Sequence, residues 1–371
     1  METPFKVCVI GGSNSLMKSG YIPPFKAQLS RALKRDVEIN NISMGGTFSH
    51  YGLWQLITKG SHKDADVIVI EYALNDSELS SFGMIGHWAQ AYEGVIAKLR
   101  AEAPSAKIIS PLFINRHSAM RSKFSAMAAG FAFINGRYDV ETIDVNNELL
   151  SRAPEEYWTI DEWYKDGSHY TKYIQVMIAD FLVEAVKAGK GHMKRDRVFA
   201  VTENHFGGAK SAVKEGIFDG LFPPEFERTN FTNSLVSQDA IKIPTGGTLE
   251  FNLKGSLVGM ILVSTDGDGI VRCTVGNHSV LTSCRRKAFD TRKFDFLMNI
   301  FVLDQYFRKT VTVSEDWMPI SLRVLTPEQI VATAGERVAT RPTARPAEAD
   351  QKELSFCIAD IVYNGEIEPI N

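Results

Sequence analysis

Apolar and polar positions follow two alternating periods along the first half of the chain. Phe5 to Ile10 is a strand-like apolar run that stops at Gly11 and Gly12, where the sequence Gly-Gly-Ser-Asn-Ser turns out of a sheet. From Tyr21-Ile22-Pro23-Pro24 onward, Phe25, Leu29 and Leu33 recur at four-residue spacing, a helical pattern. Val37 to Ile42 reads as a second strand and runs into Ser43-Met44-Gly45-Gly46-Thr47, with Thr47 a candidate cap for a helix carrying Tyr51, Trp54 and Ile57. Val67 to Tyr72 is almost continuously apolar, as in strands buried on both faces of a parallel sheet, and ends at Ala73-Leu74-Asn75-Asp76. A helix with Trp88, Tyr92, Val95, Ile96 and Leu99 on one face follows, then a strand at Lys107 to Leu112. Met120, Phe124, Met127 and Phe131 predict another helix, Val140 to Val145 a fifth strand, and Ile174, Met177, Ile178, Phe181 and Leu182 a last helix ending near Lys187. Five alternations of strand and helix predict a three-layer α/β/α, doubly wound, mostly parallel sheet in residues 1–194.

The texture then changes. Lys190 to Arg197 is basic, and residues 195–247 read as an irregular connecting segment with Gly207-Gly208 and Pro223-Pro224 as breakers. Short strand-like runs follow at Thr248–Leu253, Leu257–Val263, Ile270–Val275, Asn299–Leu303, Thr310–Val313, Ile320–Leu325 and Phe356–Tyr363. They predict an all-β, sandwich-like domain over 248–371, with a flexible excursion at about 335–350, rich in Arg, Thr, Ala and Pro.

Composition narrows the classes of function. With 41 basic and 44 acidic side chains the formal charge of the 371 residues is −3, which argues against nucleic acid as the main partner and against a polybasic membrane anchor. No apolar run is long enough to insert in a membrane. Because the first strand begins almost at Met1, no signal peptide is expected and the expected location is cytoplasmic. Cys8, Cys273, Cys284 and Cys357 are scattered and read as buried thiols, the eight histidines lack metal-ligand spacing, and neither metal nor cofactor is expected.

Loops at the carboxyl ends of a parallel sheet converge on one edge. Here they hold Ser13, Gly46, Asn75 and the Asp166-Gly167-Ser168-His169 turn. A serine hydroxyl becomes a nucleophile only when a base takes its proton, and the base needs a third group to fix its tautomer. Ser13 is a candidate nucleophile, His169 the base and Asp166 its orienting acid. The amides of Ser13 and Gly46 and the side-chain amide of Asn75 are candidate oxyanion donors.

These blocks, Gly11-Gly-Ser-Asn-Ser15, the Gly46 loop, Asn75-Asp76 and Asp166-Gly-Ser-His169, resemble in order and spacing those of the SGNH (GDSL-type) hydrolase family over the N-terminal half. The resemblance implies esterase, deacetylase or acyltransferase chemistry with the same residues in the same roles. In that family an aspartate usually precedes the serine, where this chain has Gly12. A glycine usually stands two residues before the asparagine, where this chain has Ala73.

Aromatic residues crowd the approach to His169, and Trp163, Tyr164 and Tyr170, together with Tyr157 and Trp158, are candidates for stacking on sugar rings or for covering the core. His50 and Asn115 are further candidate substrate contacts, although a helix cap is the commoner role for such an asparagine. The expectation is a serine-dependent hydrolase or O-acyltransferase acting, through an acyl-serine, on a small or polymeric O-acylated, most simply O-acetylated, carbohydrate. The competing expectation is a non-catalytic glycan-binding or assembly protein on a diverged hydrolase scaffold. For the C-terminal domain the alternatives are carbohydrate binding and a structural or dimerising role that would make the protein a homo-oligomer.

Overall fold

In the computed structural model the described residues are 3–80, 84–120, 126–152, 160–189, 200–202, 205–234, 236–291, 294–333, 335–340 and 354–370. They form two compact units, one of Met1–Ser81 with Ile85–Gly208 and one chiefly of Ala209–Asn371. The chain is an α/β unit with a parallel sheet followed by a separate all-β unit.

In the first unit the elements run β1 (Phe5–Gly11), α1 (Ser13–Leu16), α2 (Ile22–Leu33), β2 (Val37–Asn41), α3 (Ser49–Lys59), β3 (Val67–Glu71), α4 (Ala73–Ser80), α5 (Ile85–Glu102), β4 (Lys107–Leu112), α6 (Arg116–Met120), α7 (Ala126–Arg137), β5 (Glu141–Asp144), α8 (Val145–Arg152) and α9 (Lys172–Lys187). The strand order is β2-β1-β3-β4-β5, every neighbouring pair parallel. Val7, Val9, Val67, Val69 and Ile109 pack with Phe25 and Leu29 of α2 and with Ile174, Ile178 and Leu182 of α9. The alternate strand residues Cys8, Ile10, Ile68 and Ile70 are equally buried, so the continuous apolar runs are used on both faces.

This order makes the site. Connections leave β1 and β3 toward opposite edges of the sheet, which opens a crevice between their carboxyl ends. Gly11 pairs with Glu71 in register, so the segments carrying Ser13 and Asn75 start side by side.

Local details differ from the sequence pattern. Thr47 does not cap α3; its hydroxyl donates to the Met44 carbonyl at 2.7 Å, and Phe48 occupies the N-cap. The helix expected over 120–131 is divided between α6 and α7, with Phe124 outside the described residues.

The second unit contains β6 (Lys210–Ser211), β7 (Glu227–Thr232), β8 (Ser237–Pro244), β9 (Thr248–Thr265), β10 (Ile270–Val275), β11 (His278–Ser283), β12 (Phe296–Phe301), α10 (Leu303–Phe307), β13 (Val313–Val324), α11 (Pro327–Ala332), β14 (Val338–Thr340) and β15 (Ser355–Pro369). β7 and β8 lie in the stretch read from sequence as an irregular connection. They pair with each other, and β8 also pairs with β15. No β7 residue is fully buried, so it offers little apolar pattern to read. The two runs expected at 248–253 and 257–263 form one continuous strand, β9. Val311 and Thr312, expected in a strand, instead donate their amides to the buried Asp304 carboxylate at 2.9 and 3.0 Å. β14 falls within the excursion expected at 335–350, whose remainder from 341 onward lies outside the described residues. All four cysteines are buried and outside any disulfide, and among the described residues no helix is long and apolar enough to cross a membrane.

Candidate active site

β1 ends at Gly11, and Ser13 opens the single-turn helix α1, with Gly12 as its N-cap in an extended conformation (φ −92°, ψ −153°). Gly12 lies against the Asn75 side chain. A Cβ there would lie 2.8 Å from both Nδ2 and Oδ1 of Asn75 and 3.0 Å from its Cγ.

The Ser13 hydroxyl lies 2.8 Å from His169 Nε2, and His169 Nδ1 lies 2.8 and 3.0 Å from the two carboxylate oxygens of Asp166. Nδ1 faces a carboxylate and so carries the proton, which leaves Nε2 free to accept from Ser13. Asp166 Oδ1 also accepts the backbone amides of Ser168 and His169, each at 2.9 Å. Burial alone would raise the Asp166 carboxyl; these two amides and the imidazole outweigh it and hold the group below its ordinary value. The anion is thereby kept where it orients the imidazole. The pair sits on the turn before α9, whose N-cap is Thr171.

Other contacts fasten this turn to the segment that carries Ser13. The buried Asn14 donates from Nδ2 to the Ser168 carbonyl at 3.1 Å, and its Oδ1 accepts from Gln175 of α9 at 3.5 Å. The Arg116 amide donates to the Gly167 carbonyl at 3.0 Å. Tyr164 and Tyr170 form a β-bridge across the base of the turn with their rings stacked 4.7 Å apart, and Tyr164 donates its hydroxyl to the Ile114 carbonyl at 2.9 Å.

The Gly46 loop approaches from β2. Met44 donates its amide to the Gly11 carbonyl at 2.9 Å, Asn41 donates from Nδ2 to the Ser15 carbonyl at 2.7 Å, and a Cβ on Gly45 would lie 3.5 Å from the Ser13 Cβ. Gly46 has φ +69°, the left-handed conformation in which glycine pays no steric cost. Asn75, on the first turn of α4, donates from Nδ2 to the Thr47 carbonyl at 2.9 Å, which ties it to the same loop. Ser13, Gly46, Asn75, Asp166 and His169 are thus brought to one place from four loops.

The remaining candidates are placed elsewhere. Trp163, Tyr164 and Tyr170 are 1%, 5% and 2% exposed and belong to the core, so they offer no open face to a sugar ring. Their size made them candidates, and the turn between 164 and 170 folds them inward. His50 is also fully buried, with its ring stacked on His87 and Nε2 2.9 Å from His87 Nδ1, so it cannot touch substrate. Burial, with His87 beside it, holds its pKa well below the ordinary value. Asn115 accepts the Ser118 amide at 2.8 Å as the cap of α6, and Arg116 pairs with Asp161. Tyr157 and Trp158 lie outside the described residues. Asn115 does line a cleft of about 370 Å³ with Leu74 and Glu78 of α4, Phe113 and Ile114. Sequence reasoning missed Asn14 and Glu71. Asn14 stands beside Ser13 in the Gly11–Ser15 block, where its side chain has no chemistry of its own to mark it, and nothing in the apolar run of β3 marks Glu71. Among the described residues no group of three His, Cys, Asp or Glu side chains is arranged to hold a metal ion.

No family model and no curated protein matches the chain. Among solved structures the chain is similar to a two-domain esterase (CEX) active on acetylated mannans, crystallised with mannopentaose, at 12% sequence identity over 99% of this chain and 92% of that one, with a TM-score of 0.64. A second crystal structure of a two-domain esterase (CEX) active on acetylated mannans matches at 11% identity over 98% and 92%, with a TM-score of 0.63. At such identities the likeness is one of fold.

Proposed function

We propose that this protein is a serine-dependent acyl-ester hydrolase of the SGNH type acting on O-acetylated carbohydrate. The observation that carries the reading is the unbroken hydrogen-bond chain from Ser13 through His169 to Asp166. In the first half-reaction His169 Nε2 takes the Ser13 proton as Oγ bonds to the acyl carbonyl carbon. The Ser13 and Gly46 amides and the Asn75 side chain receive the negative charge that develops on the carbonyl oxygen. The imidazolium then returns the proton to the departing sugar oxygen, leaving acyl-Ser13. Water, or a second sugar hydroxyl in a transferase, attacks with the same base, and Ser13 leaves protonated.

Support for the carbohydrate comes from the shared two-unit fold with an esterase active on acetylated mannans. The SGNH assignment draws on the four blocks and on a strand order whose crevice lies between Ser13 and Asn75. We infer further that helices cover both faces of the parallel sheet as three layers. The all-β unit is read as sandwich-like, because β9 pairs with β13 through 248–256 and with β12 through 260–265.

Acetate release from acetylated mannan and from p-nitrophenyl acetate tests the reading. Ser13→Ala is expected to lower kcat by about 10⁴-fold or more, and a fluorophosphonate probe is expected to label Ser13. Equal rates for wild type and variant, with no labelling, would return the protein to a binding role.

A further inference from the structure

The helix that carries the nucleophile cannot hold itself. α1 is four residues long and its N-cap, Gly12, has no side chain to accept from the amides left open at its start. A single turn is the costly nucleus of a helix, with few internal bonds to offset its ordering. The missing acceptor comes from a different strand. Glu71, the last residue of β3, is fully buried; its Oε2 shares the Gly12 amide with its own main-chain carbonyl, each at 3.1 Å, and accepts the Ser15 hydroxyl at 3.0 Å. The Ser15 amide also bonds to this carboxyl. Ser15 Oγ lies 2.7 Å from the Tyr21 hydroxyl, which extends the network into α2. The residues flanking Ser13 on both sides are therefore fastened to one carboxyl.

The same device recurs five residues on. Phe48, the N-cap of α3, gives no side-chain bond, and Asp76 accepts the Ser49 amide at 2.9 Å with one oxygen and the Trp88 indole N–H at 3.0 Å with the other. The two carboxyls bracket Asn75, so one short segment caps both helices that border the site.

We propose that Glu71 is the positioning residue of the nucleophile turn: its carboxyl caps α1 from the neighbouring strand and thereby fixes the direction of the Ser13 hydroxyl and amide. Capping requires an acceptor oxygen and no charge. Burial pushes Glu71 up to about 8, with the Asp76 carboxylate adding to the rise and the Ser15 and Gly12 bonds opposing it. The other titratable groups that its charge reaches are the hydroxyls of Tyr72 on its own segment, Tyr21 of α2 and Tyr170 before α9. A neutral side chain that keeps one carbonyl in place should therefore substitute for it.

The proposal rests on the esterase reading for its kinetic arm alone, and hydrogen exchange of the full-length protein separates the two. In Glu71→Ala the Ser15 amide, which the carboxyl holds, is expected to exchange at least about tenfold faster than in wild type, while the Gly12 amide keeps its bond to the main-chain carbonyl of residue 71, and in Glu71→Gln the Ser15 amide is expected to exchange as in wild type. On p-nitrophenyl acetate, Glu71→Ala is expected to lose about 10²-fold in kcat with KM within threefold, the effect of a nucleophile displaced by about 1 Å, and Glu71→Gln to recover most of it. If Glu71→Ala does not fold, Glu71→Asp, which withdraws the carboxyl by one methylene, takes its place with the same expectations. Unchanged exchange in the Ala or Asp variant overturns the proposal, as does a Gln variant as impaired as Ala, since the charge rather than the acceptor would then be at work. Accelerated exchange in a protein whose wild type shows no Ser13-dependent activity would sink the esterase reading and leave the positioning role standing.

Discussion

Replacing Gly12 with alanine adds one methyl group to the nucleophile turn, and the structure says where it goes. The Gly12 backbone is extended, so an L-residue is tolerated and strain is not the cost. Space is. The new Cβ would lie 2.8 Å from Nδ2 and Oδ1 of Asn75, while a relaxed contact needs about 3.5 Å. The amide must retreat by roughly 0.7 Å, and it is held by the bond from Nδ2 to the Thr47 carbonyl at 2.9 Å. On the proposed mechanism, a retreat of that size strains this bond and shifts Asn75 from its place as an oxyanion donor. Loss of one such donor costs about 10²–10³ in kcat, or about 3–4 kcal/mol of transition-state stabilisation. The expected result with p-nitrophenyl acetate is a kcat for Gly12→Ala about 10²-fold below wild type, with KM within threefold. Gly12→Asp, although it brings the first block closer to the sequence usual in the SGNH family that it resembles, should fall further. Asn75→Ala should lose a similar factor, and the double variant Gly12→Ala with Asn75→Ala should be no slower than Asn75→Ala alone, because both act through one amide. A Gly12→Ala enzyme within threefold of wild type, or losses that multiply in the double variant, would refute the reasoning.

Ser13→Ala, His169→Ala and their combination should have nearly equal residual rates, since members of a triad act as a unit; multiplied losses in kcat would contradict this. Glu71 titrates near 8 when folded against 4.5 as its ordinary value, so the unfolded chain releases its proton first as pH rises. The stability this group contributes is full below about pH 4.5 and is lost as pH climbs toward 8, by up to about 5 kcal/mol. Urea midpoints of wild type should fall over that range and those of Glu71→Gln should fall less, and parallel curves would count against the assignment. Trp163→Ala should cost about 3–5 kcal/mol in urea unfolding because the side chain is buried. An unchanged midpoint with a raised KM for acetylated polymer alone would instead place Trp163 in contact with sugar.

The parallel sheet was legible because a strand buried on both faces carries a continuous apolar run, as Val7–Ile10 in β1, Val67–Ile70 in β3 and Ile108–Ile109 in β4 do. The Asp166 and His169 pair was legible because a turn of three residues brings carboxylate and imidazole together through local geometry alone. Exposure of the aromatic residues was not legible: a ring with a hydroxyl suits a sugar or a core equally well, and only the bridge between Tyr164 and Tyr170 turns these inward. β7 escaped notice because its half-exposed positions carry no apolar period.

By itself the sequence determined the alternation of strands and helices and singled out Ser13, His169 and Asp166 as candidate nucleophile, base and orienting acid, because these depend on periodicity and short spacing. Only the tertiary structure decided that Gly12 makes room for Asn75 and that Glu71 caps the turn it never meets in sequence. Both relations join residues about sixty positions apart, through the pairing of β1 with β3, and no local pattern encodes such a contact.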